Sequence, residues 1–310
     1  MSKKIEFLDL GQQPLANYYL NKSQIKKKER KYRLIVCFDN QNKLVSIKKT
    51  FSSKMMFNNK YPYRSSMSKT MQKSFKELAK HIKLKMRPKK ILEIGSNDGS
   101  FLKNFKKSMS IGIEPCANVE KITKKQNFNT IAKYWDKKLA KNILKKHGNF
   151  DLIYSANTIS HIKDLNDVFK SIDLVLSKNG TFILEDPSLI ECLKRNTYDQ
   201  FYNEHIYVFS YLSLSNILKK YNLEIYKIEN LDIHGGSNRY FIKRINNTIK
   251  IEKSVIKQKK EEIRYGLNKK NTYFRFKKRV QESKKRLVSI FNYCKSKNKK
   301  IIGYGATAKS

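Results

Sequence analysis

Four short, nearly continuous apolar runs recur through the middle of the chain: KILEIG (90–95), SIGIEP (110–115), FDLIYSAN (150–157) and GTFILEDP (180–187). Runs that are apolar at consecutive rather than alternate positions predict strands covered on both faces, as in a parallel sheet. The stretches between them are long enough for crossover helices. Residues 86–245 are therefore expected to form an α/β domain, an open, doubly wound, Rossmann-like sheet. Downstream, a helical pattern near Ser213 to Lys220 precedes two strand-like segments, LEIYKIENL and RYFIKR, which extend the sheet with an antiparallel edge.

The flanks read differently. Residues 1–85 show no regular alternation and are expected to form a small N-terminal lobe. Gly11 and Pro14 mark an early turn there, Tyr32 to Val36 and Lys43 to Ile47 predict short strands, and Met71, Phe75, Leu78, Ala79 and Ile82 recur at helical spacing. Residues 246–300 predict a basic helical extension, a solvated linker with Phe274, Val280, Leu287, Ile290 and Phe291 on one face. The last ten residues, IIGYGATAKS, read as a strand entering a Gly-x-Gly turn of a further βα unit, the start of a Rossmann-like domain that is truncated at 301–310.

Composition narrows the classes. The chain has 310 residues, enough for about two domains, and 67 Lys+Arg against 26 Asp+Glu give a formal charge of +41. Between Lys243 and Lys300 there are 21 basic and 4 acidic residues. Only 11 of the basic residues in the whole chain are arginine, and the lysines are dispersed rather than gathered into a stripe. That pattern favours a solvated lysine-rich exterior over a nucleic-acid partner. No apolar run approaches the ~18 residues of a membrane span, and MSKKIEFLDLG lacks the apolar centre of a signal peptide. Cys37, Cys116, Cys192 and Cys294 stand far apart with no Cys-x-x-Cys pair, which supports neither a disulfide framework nor a metal site and makes a reducing cytoplasm the expected location.

The candidate chemistry follows the first apolar run. In ILEIGSNDGSFL a buried strand ends in a turn with Gly95 and Gly99, where a helix is expected to begin and its backbone N–H groups to face a ligand. The spacing is neither a dinucleotide fingerprint nor a P-loop. Nineteen residues after Gly95, Glu114 ends the second strand beside Pro115, where an acid can accept ribose hydroxyls. Asn157 stands at the end of the strand FDLIYSA, on the carboxyl side of the sheet, with His161 shortly after it. In Tyr198-Asp199-Gln200-Phe201-Tyr202-Asn203-Glu204-His205, a histidine beside a glutamate can serve as a base. In His234-Gly235-Gly236-Ser237-Asn238-Arg239, paired glycines admit a substrate and Arg239 can pair with a phosphate; a hairpin turn fits the same residues equally well.

Together LDLGQQPLAN, YPYRSS, EIGSNDGSFL, GIEPCANV, HIKDL, ILEDPSL, YNEH, HGGSNR and GYGATAK resemble, in order and over nearly the whole chain, the nucleotide-sugar C-methyltransferases, a branch of the class I S-adenosylmethionine-dependent methyltransferases. The resemblance implies a cofactor site at Glu93, Gly95, Ser96, Asn97, Asp98, Gly99, Glu114, Pro115 and Asn157. It implies methylation of C3 beside the 4-keto group of a nucleotide-activated deoxysugar. His205 would be the base, Tyr202 and Glu204 would orient it or stabilise the oxyanion, and His161 would help hold the sugar. Tyr61 or Tyr63, with His234, Gly235, Gly236, Ser237 and Arg239, would hold the substrate. The family's N-terminal zinc site is not expected, because Cys37 has Asn40 where its partner would stand. The truncated end implies a dependence on a partner that supplies the missing domain. A sugar O-methyltransferase and an inactive or partner-dependent fragment are the alternatives; a nucleic-acid methyltransferase would need aromatic platforms that the sequence does not display.

Overall fold

The computed structural model describes residues 4–26 and 28–303. The chain opens with three antiparallel strands, β1 (Ile5–Gln13), β2 (Tyr32–Asp39) and β3 (Leu44–Ile47), then a single-turn helix α1 (Ser53–Met56) and a long helix α2 (Lys69–Lys85). Gly11, expected in a turn, lies inside β1 with φ +77°, at a register shift between Asp9 and Gln12. Only glycine adopts this φ without strain, and the shift is a bulge that bends the strand while its pairing continues. Ser68 caps α2 by accepting the Met71 N–H at 3.2 Å. The five apolar positions predicted for α2 are all buried, but they pack against Tyr154 and Phe241 of the main sheet and Phe101 of the loop after β4 rather than against the lobe. The helix thus packs on the central sheet.

The central elements follow as β4 (Ile91–Ile94), β5 (Ser110–Ile113), α3 (Ala117–Lys125), β6 (Thr130–Ile131), α4 (Lys137–His147), β7 (Phe150–Ala156), α5 (Leu165–Val175), β8 (Leu176–Pro187) and α6 (Leu189–Arg195). A two-residue strand, β9 (Tyr207–Val208), returns to pair with β3 and completes a four-stranded N-terminal sheet. Helix α7 (Tyr211–Leu218) leads to the hairpin β10 (Leu223–Leu231) and β11 (Ser237–Arg244). The main sheet has the order β10-β11-β8-β7-β4-β5-β6; β11 is antiparallel to both neighbours and the other pairings are parallel. This is the doubly wound, Rossmann-like methyltransferase sheet. Strand order reverses between β4 and β7, so the ligand crevice lies beyond their carboxyl ends.

The first crossover departs from the expectation. No α-helix starts near Gly99; the segment holds only 3-10 turns at Leu102–Asn104 and Lys107–Met109. The connection is short, and the Asn104 amide bonds the Ser100 and Phe101 carbonyls at 3.3 and 2.9 Å, competing with helix propagation.

The basic C-terminal region is not a detached linker. Glu262 of α8 (Lys253–Tyr265) is fully buried and accepts the N–H groups of Tyr211 and Leu212 at 2.8 and 3.0 Å, serving the N-terminus of α7. In α9 (Lys270–Ser296), Tyr273, Phe276 and Val280 enter a cluster with Phe7, Phe38 and Phe201. The Tyr273 ring stacks on Phe38 at 4.2 Å. Of the five residues expected on the apolar face only Val280 is buried; Phe274, Leu287, Ile290 and Phe291 are 42–56% exposed. Phe274 falls one position outside the 273/276/280 stripe, and the others lie on the half of the helix that takes no part in the cluster. Ile301 and Ile302 belong to no strand, and the Gly-x-Gly turn predicted after them falls largely in residues 304–310, outside the described residues. Among the described residues no helix is long and apolar enough to cross a membrane.

The packing of α9 predicts a contrast within one helix. Phe276→Ala should cost about 3–5 kcal/mol, whereas Phe291→Ala should stay within about 0.5 kcal/mol. Chemical denaturation of the two variants measures both; equal losses would contradict the packing described.

Candidate active site

A cavity of about 1130 Å³ opens at the strand-order reversal, lined from β4, β5 and β7 and the loops that follow them. Single-ligand pockets occupy roughly 300–1,000 Å³, so this one has room for two ligands side by side.

One wall is the turn after β4. Gly95 has φ +78°, and a Cβ added there would lie 2.0 Å from Thr158 Oγ1, so the ends of β4 and β7 can close on each other only at glycine. The turn offers no anion cradle. The N–H groups of Gly95 and Ser96 donate to the Ile113 carbonyl, that of Gly99 to Ser96, and that of Asn97 to Glu114 Oε2 at 3.0 Å. Asn97, in the left-handed region at φ +47°, accepts the Ser65 N–H at 2.9 Å and donates to the Tyr63 carbonyl at 3.3 Å. Asp98 accepts the Ser66 N–H at 3.0 Å and the Ser100 hydroxyl at 2.7 Å. These two residues hold the YPYRSS loop over the cavity. Asp98 and Gly99, both expected at the cofactor, do not line it.

Glu93, Ser96, Glu114, Pro115 and Asn157 do line the cavity. Glu114 is buried, and its Oε1 accepts the Cys116 N–H at 2.8 Å. Burial raises its pKa, opposed by the Cys116 and Asn97 donors and by Arg64. Burial first, then Asp98 and Glu114, pushes the Glu93 carboxyl well up. Glu93 Oε2, Ser96 Oγ, Trp135 Nε1 and His161 Nε2 are buried lining atoms without a hydrogen-bond partner among the described residues. Orphaned polar atoms of this kind mark where a polar ligand completes the structure. The lining carries six carboxylates, Glu93, Glu114, Asp136, Asp164, Asp167 and Glu204, against Arg64 and Lys163. In a chain of formal charge +41, this acidic interior favours a ligand with a positive centre.

The opposite wall gathers the expected catalytic residues. His205 Nδ1 lies 2.9 Å from the Gln200 carbonyl, which can only accept, so the geometry assigns the proton to Nδ1. Nε2 meets the Tyr202 hydroxyl at 3.0 Å and accepts from it when the ring carries only the Nδ1 proton. His161 stacks between Phe57, at 5.3 Å, and His205, at 5.1 Å, and burial lowers its pKa to about 4, keeping it neutral. Glu204 is 1% exposed and accepts from Asn17 Nδ2 at 2.8 Å and from the Tyr61 hydroxyl. Burial raises its pKa to about 7 against both donors. Tyr61 is buried in this network; Tyr63 also lines the cavity but is half-exposed. Of the two, the structure ties Tyr61 to Glu204.

The HGGSNR segment enters the site only through His234. Gly235 and Gly236 form the β10–β11 turn, the hairpin reading of these residues, and Ser237 donates to the Ile233 carbonyl at 3.2 Å. Arg239 is not a phosphate ligand. It sits opposite Glu185 of β8 and Glu229 of β10 and bonds both carboxylates at 2.9 Å, with Ser74 at 3.2 Å. The sequence reading left several lining residues unassigned. Asn17 lay in the quoted LDLGQQPLAN segment without a role. Trp135 and Asp136 follow β6, at the carboxyl edge of the sheet where ligands bind, and Trp135 is the chain's single tryptophan. Gln200 supplies the carbonyl that fixes the His205 tautomer, a role no spacing rule reveals. Among the described residues no group of His, Cys, Asp and Glu could hold a metal ion.

The chain belongs to the methyltransferase-domain family, whose model matches residues 63–228, and a C-methyltransferase C-terminal domain model matches residues 232–310. The fold and family make S-adenosylmethionine the cofactor for which the cleft is built. Among curated proteins the chain is similar to C-methyltransferase NovU of Streptomyces niveus, with 26% identity over 221 residues, 71% of this chain and 53% of that protein. It therefore spans about half the length of the curated relative it matches. Solved structures with a similar fold include a methyltransferase of Thermotoga maritima (18% identity, TM-score 0.40, 54% of this chain and 88% of that one). Another is a methyltransferase of Clostridium acetobutylicum (15% identity, TM-score 0.42, 56% of this chain and 92% of that one).

The position of Arg239 has a direct consequence. Arg239→Met leaves the fully buried Glu185 without its cation, while the part-exposed Glu229 keeps Lys227 at 2.9 Å, and should destabilise the fold by about 3–5 kcal/mol. Calorimetric affinity for S-adenosylmethionine, measured well below the melting temperature, should stay within about two-fold, since Arg239 does not line the cavity. Lost affinity with unchanged stability would return Arg239 to a ligand role.

Proposed function

We propose that the chain transfers the methyl group of S-adenosylmethionine to a carbon beside a keto group, C3 of a nucleotide-activated 4-keto-deoxysugar. The observation that carries this reading is His205, held through Nδ1 on the Gln200 carbonyl, with Nε2 at the Tyr202 hydroxyl, in the same large cavity as the Glu114 wall. A sugar carbon becomes a nucleophile only after losing a proton, so a C-methyltransferase needs a base where an ordered acceptor lies.

The Glu93, Glu114, Pro115 and Asn157 wall receives the cofactor, with Glu114 able to accept the ribose hydroxyls on its remaining lone pairs and the unpartnered Trp135 N–H lining the same cavity. When bound, the cofactor supplies a methyl group on a positively charged sulfur, and the acidic lining suits that charge. His205 Nε2 takes the proton from C3, and the C–H electron pair moves into the C3–C4 bond as the carbonyl becomes an enolate. Tyr202 and Tyr61 have pKa values raised well above the usual tyrosine range, by burial first, so both remain protonated donors for the enolate oxygen. The enolate carbon would be the acceptor for the methyl group that the bound cofactor supplies, with S-adenosylhomocysteine as its product, and His205 would return its proton to solvent. The unpartnered Nε2 of neutral His161 is available to a sugar hydroxyl.

Two variants separate the halves of this scheme. Glu114→Ala should weaken S-adenosylmethionine and S-adenosylhomocysteine binding by about 10-fold or more in titration calorimetry, the order expected for hydrogen bonds to a charged group. His205→Ala should bind the cofactor normally while methyl transfer falls by about 100-fold or more. Wild-type turnover in His205→Ala removes the histidine from the base role. Product NMR distinguishes a methyl on carbon from one on oxygen, and an O-methyl product would replace the enolate step by deprotonation of a hydroxyl.

A further inference from the structure

The N-terminal segment that follows β1 reaches the active site through two asparagine amides. Asn203 Nδ2 donates to the Pro14 carbonyl at 2.6 Å, and Asn17 Nδ2 donates to Glu204 Oε1 at 2.8 Å, across 187 positions of sequence. Asn17 lies in the left-handed region at φ +58°, which asparagine tolerates better than most residues, and it lines the cavity itself.

Glu204 is a buried carboxyl, and among the described residues the groups that stabilise its charge are two neutral donors, Asn17 and Tyr61. The titratable groups facing it are Tyr61, Tyr202 and Cys116, with His205 next in the chain, and burial keeps the Tyr61, Tyr202 and Cys116 protons on. A carboxylate held by two neutral donors depends on both for its orientation and its ionisation. The Asn17 amide can face it only through Nδ2, because its carbonyl oxygen would repel a carboxylate oxygen.

We propose that Asn17 is a positioning residue of this active site, delivered from the N-terminal lobe: its amide fixes Glu204, and through Glu204 it sets the Tyr61 hydroxyl at the substrate end of the cavity. The proposal rests on the methyl-transfer reading for its consequence in turnover, but not for the contact itself. The strand pair β1–β2 and the strand β9, which follows the YNEH segment, belong to one sheet, so the lobe carries Asn17 and the cavity wall on a shared frame.

The test is a 13C NMR titration of the Glu204 carboxyl in the cofactor-free protein, assigned with Glu204→Gln, alongside turnover. In Asn17→Ala the titration should move to higher pH by about 0.5–1 unit, since a donor to the charged form is lost. Asn17→Asp, which keeps the volume and the backbone preference, should move it further by adding a like charge. In both variants kcat should fall by about 10-fold or more while cofactor affinity stays within about two-fold, and the kcat–pH profile should shift with the carboxyl. A Glu204 titration unmoved in both variants overturns the proposal, as does a moved titration with unchanged kcat. If the wild-type protein methylates no keto-sugar nucleotide, the reaction assignment fails, and the titration still decides whether Asn17 governs Glu204.

Discussion

The hydrogen bond from the Asn97 N–H to Glu114 is the joint on which the site depends. It joins the turn after β4 to the tip of β5, and it forms because Asn97 takes a left-handed backbone. A non-glycine residue in that region costs on the order of 1–2 kcal/mol. The cost is offset locally, because the same residue accepts from Ser65 and donates to the Tyr63 carbonyl. One strained residue therefore sets the carboxyl at the expected ribose position and the loop that carries Tyr61. The two walls of the cavity are not independent: the loop that brings Tyr61 to Glu204 is held by the turn that orients Glu114.

Charge is distributed in two opposed ways. The chain as a whole is strongly positive, while the charged residues that line the cavity are mainly acidic. A positive exterior raises the local concentration of anionic molecules, and an acidic interior holds a cationic centre once it has entered. Under the proposed reaction, the cationic reactant meets the acidic groups of the cavity and the anionic one meets the basic exterior first. The diphosphate of a sugar nucleotide finds few cations inside the cavity, Arg64 and Lys163, so its charge is better accommodated toward the basic surface. The high net charge then needs no nucleic acid to account for it.

What the sequence made legible follows from burial. β4, β5, β7 and β8 are covered on both faces over their central residues, so their apolar runs are continuous and easily read. β1 buries only Phe7 and Leu8 and carries a bulge, so its pattern never reaches a full alternation. β6 and β9 have two residues each and leave no periodic signal. Arg239 was misread for a related reason. Its strand is buried nearly throughout, and the carboxylates that neutralise it come from two other strands, Glu185 lying 54 residues away. Only the register of β8, β11 and β10 places the three side chains abreast. The motif residues identified as chemical were mostly brought together. The exceptions include Asp98 and Gly99 of the first turn and, with Arg239, Gly235, Gly236 and Ser237 of the hairpin; they serve their turns rather than the cavity, a distinction that lies in hydrogen-bond partners and not in residue type.

The protonation states in the cavity form a consistent set for removing a weakly acidic proton. His161 is held neutral by burial, so it adds no positive charge beside the base. The protonated Nδ1 of His205 is fixed on a carbonyl, and the Tyr202 hydroxyl beside Nε2 can reach an oxyanion without loss of the base. Tyr61 and Tyr202 keep their protons far above neutral pH, and the carboxyl that helps raise them, Glu204, titrates near neutrality itself. Ionising Glu204 strengthens its grip on the Tyr61 hydroxyl and makes that hydroxyl a poorer donor to substrate; protonating Glu204 releases it. A carboxyl balanced near pH 7 can therefore divide the Tyr61 hydrogen bond between the enzyme and the enolate. The number of donors on Glu204, set from outside the central domain by Asn17, decides where that balance lies.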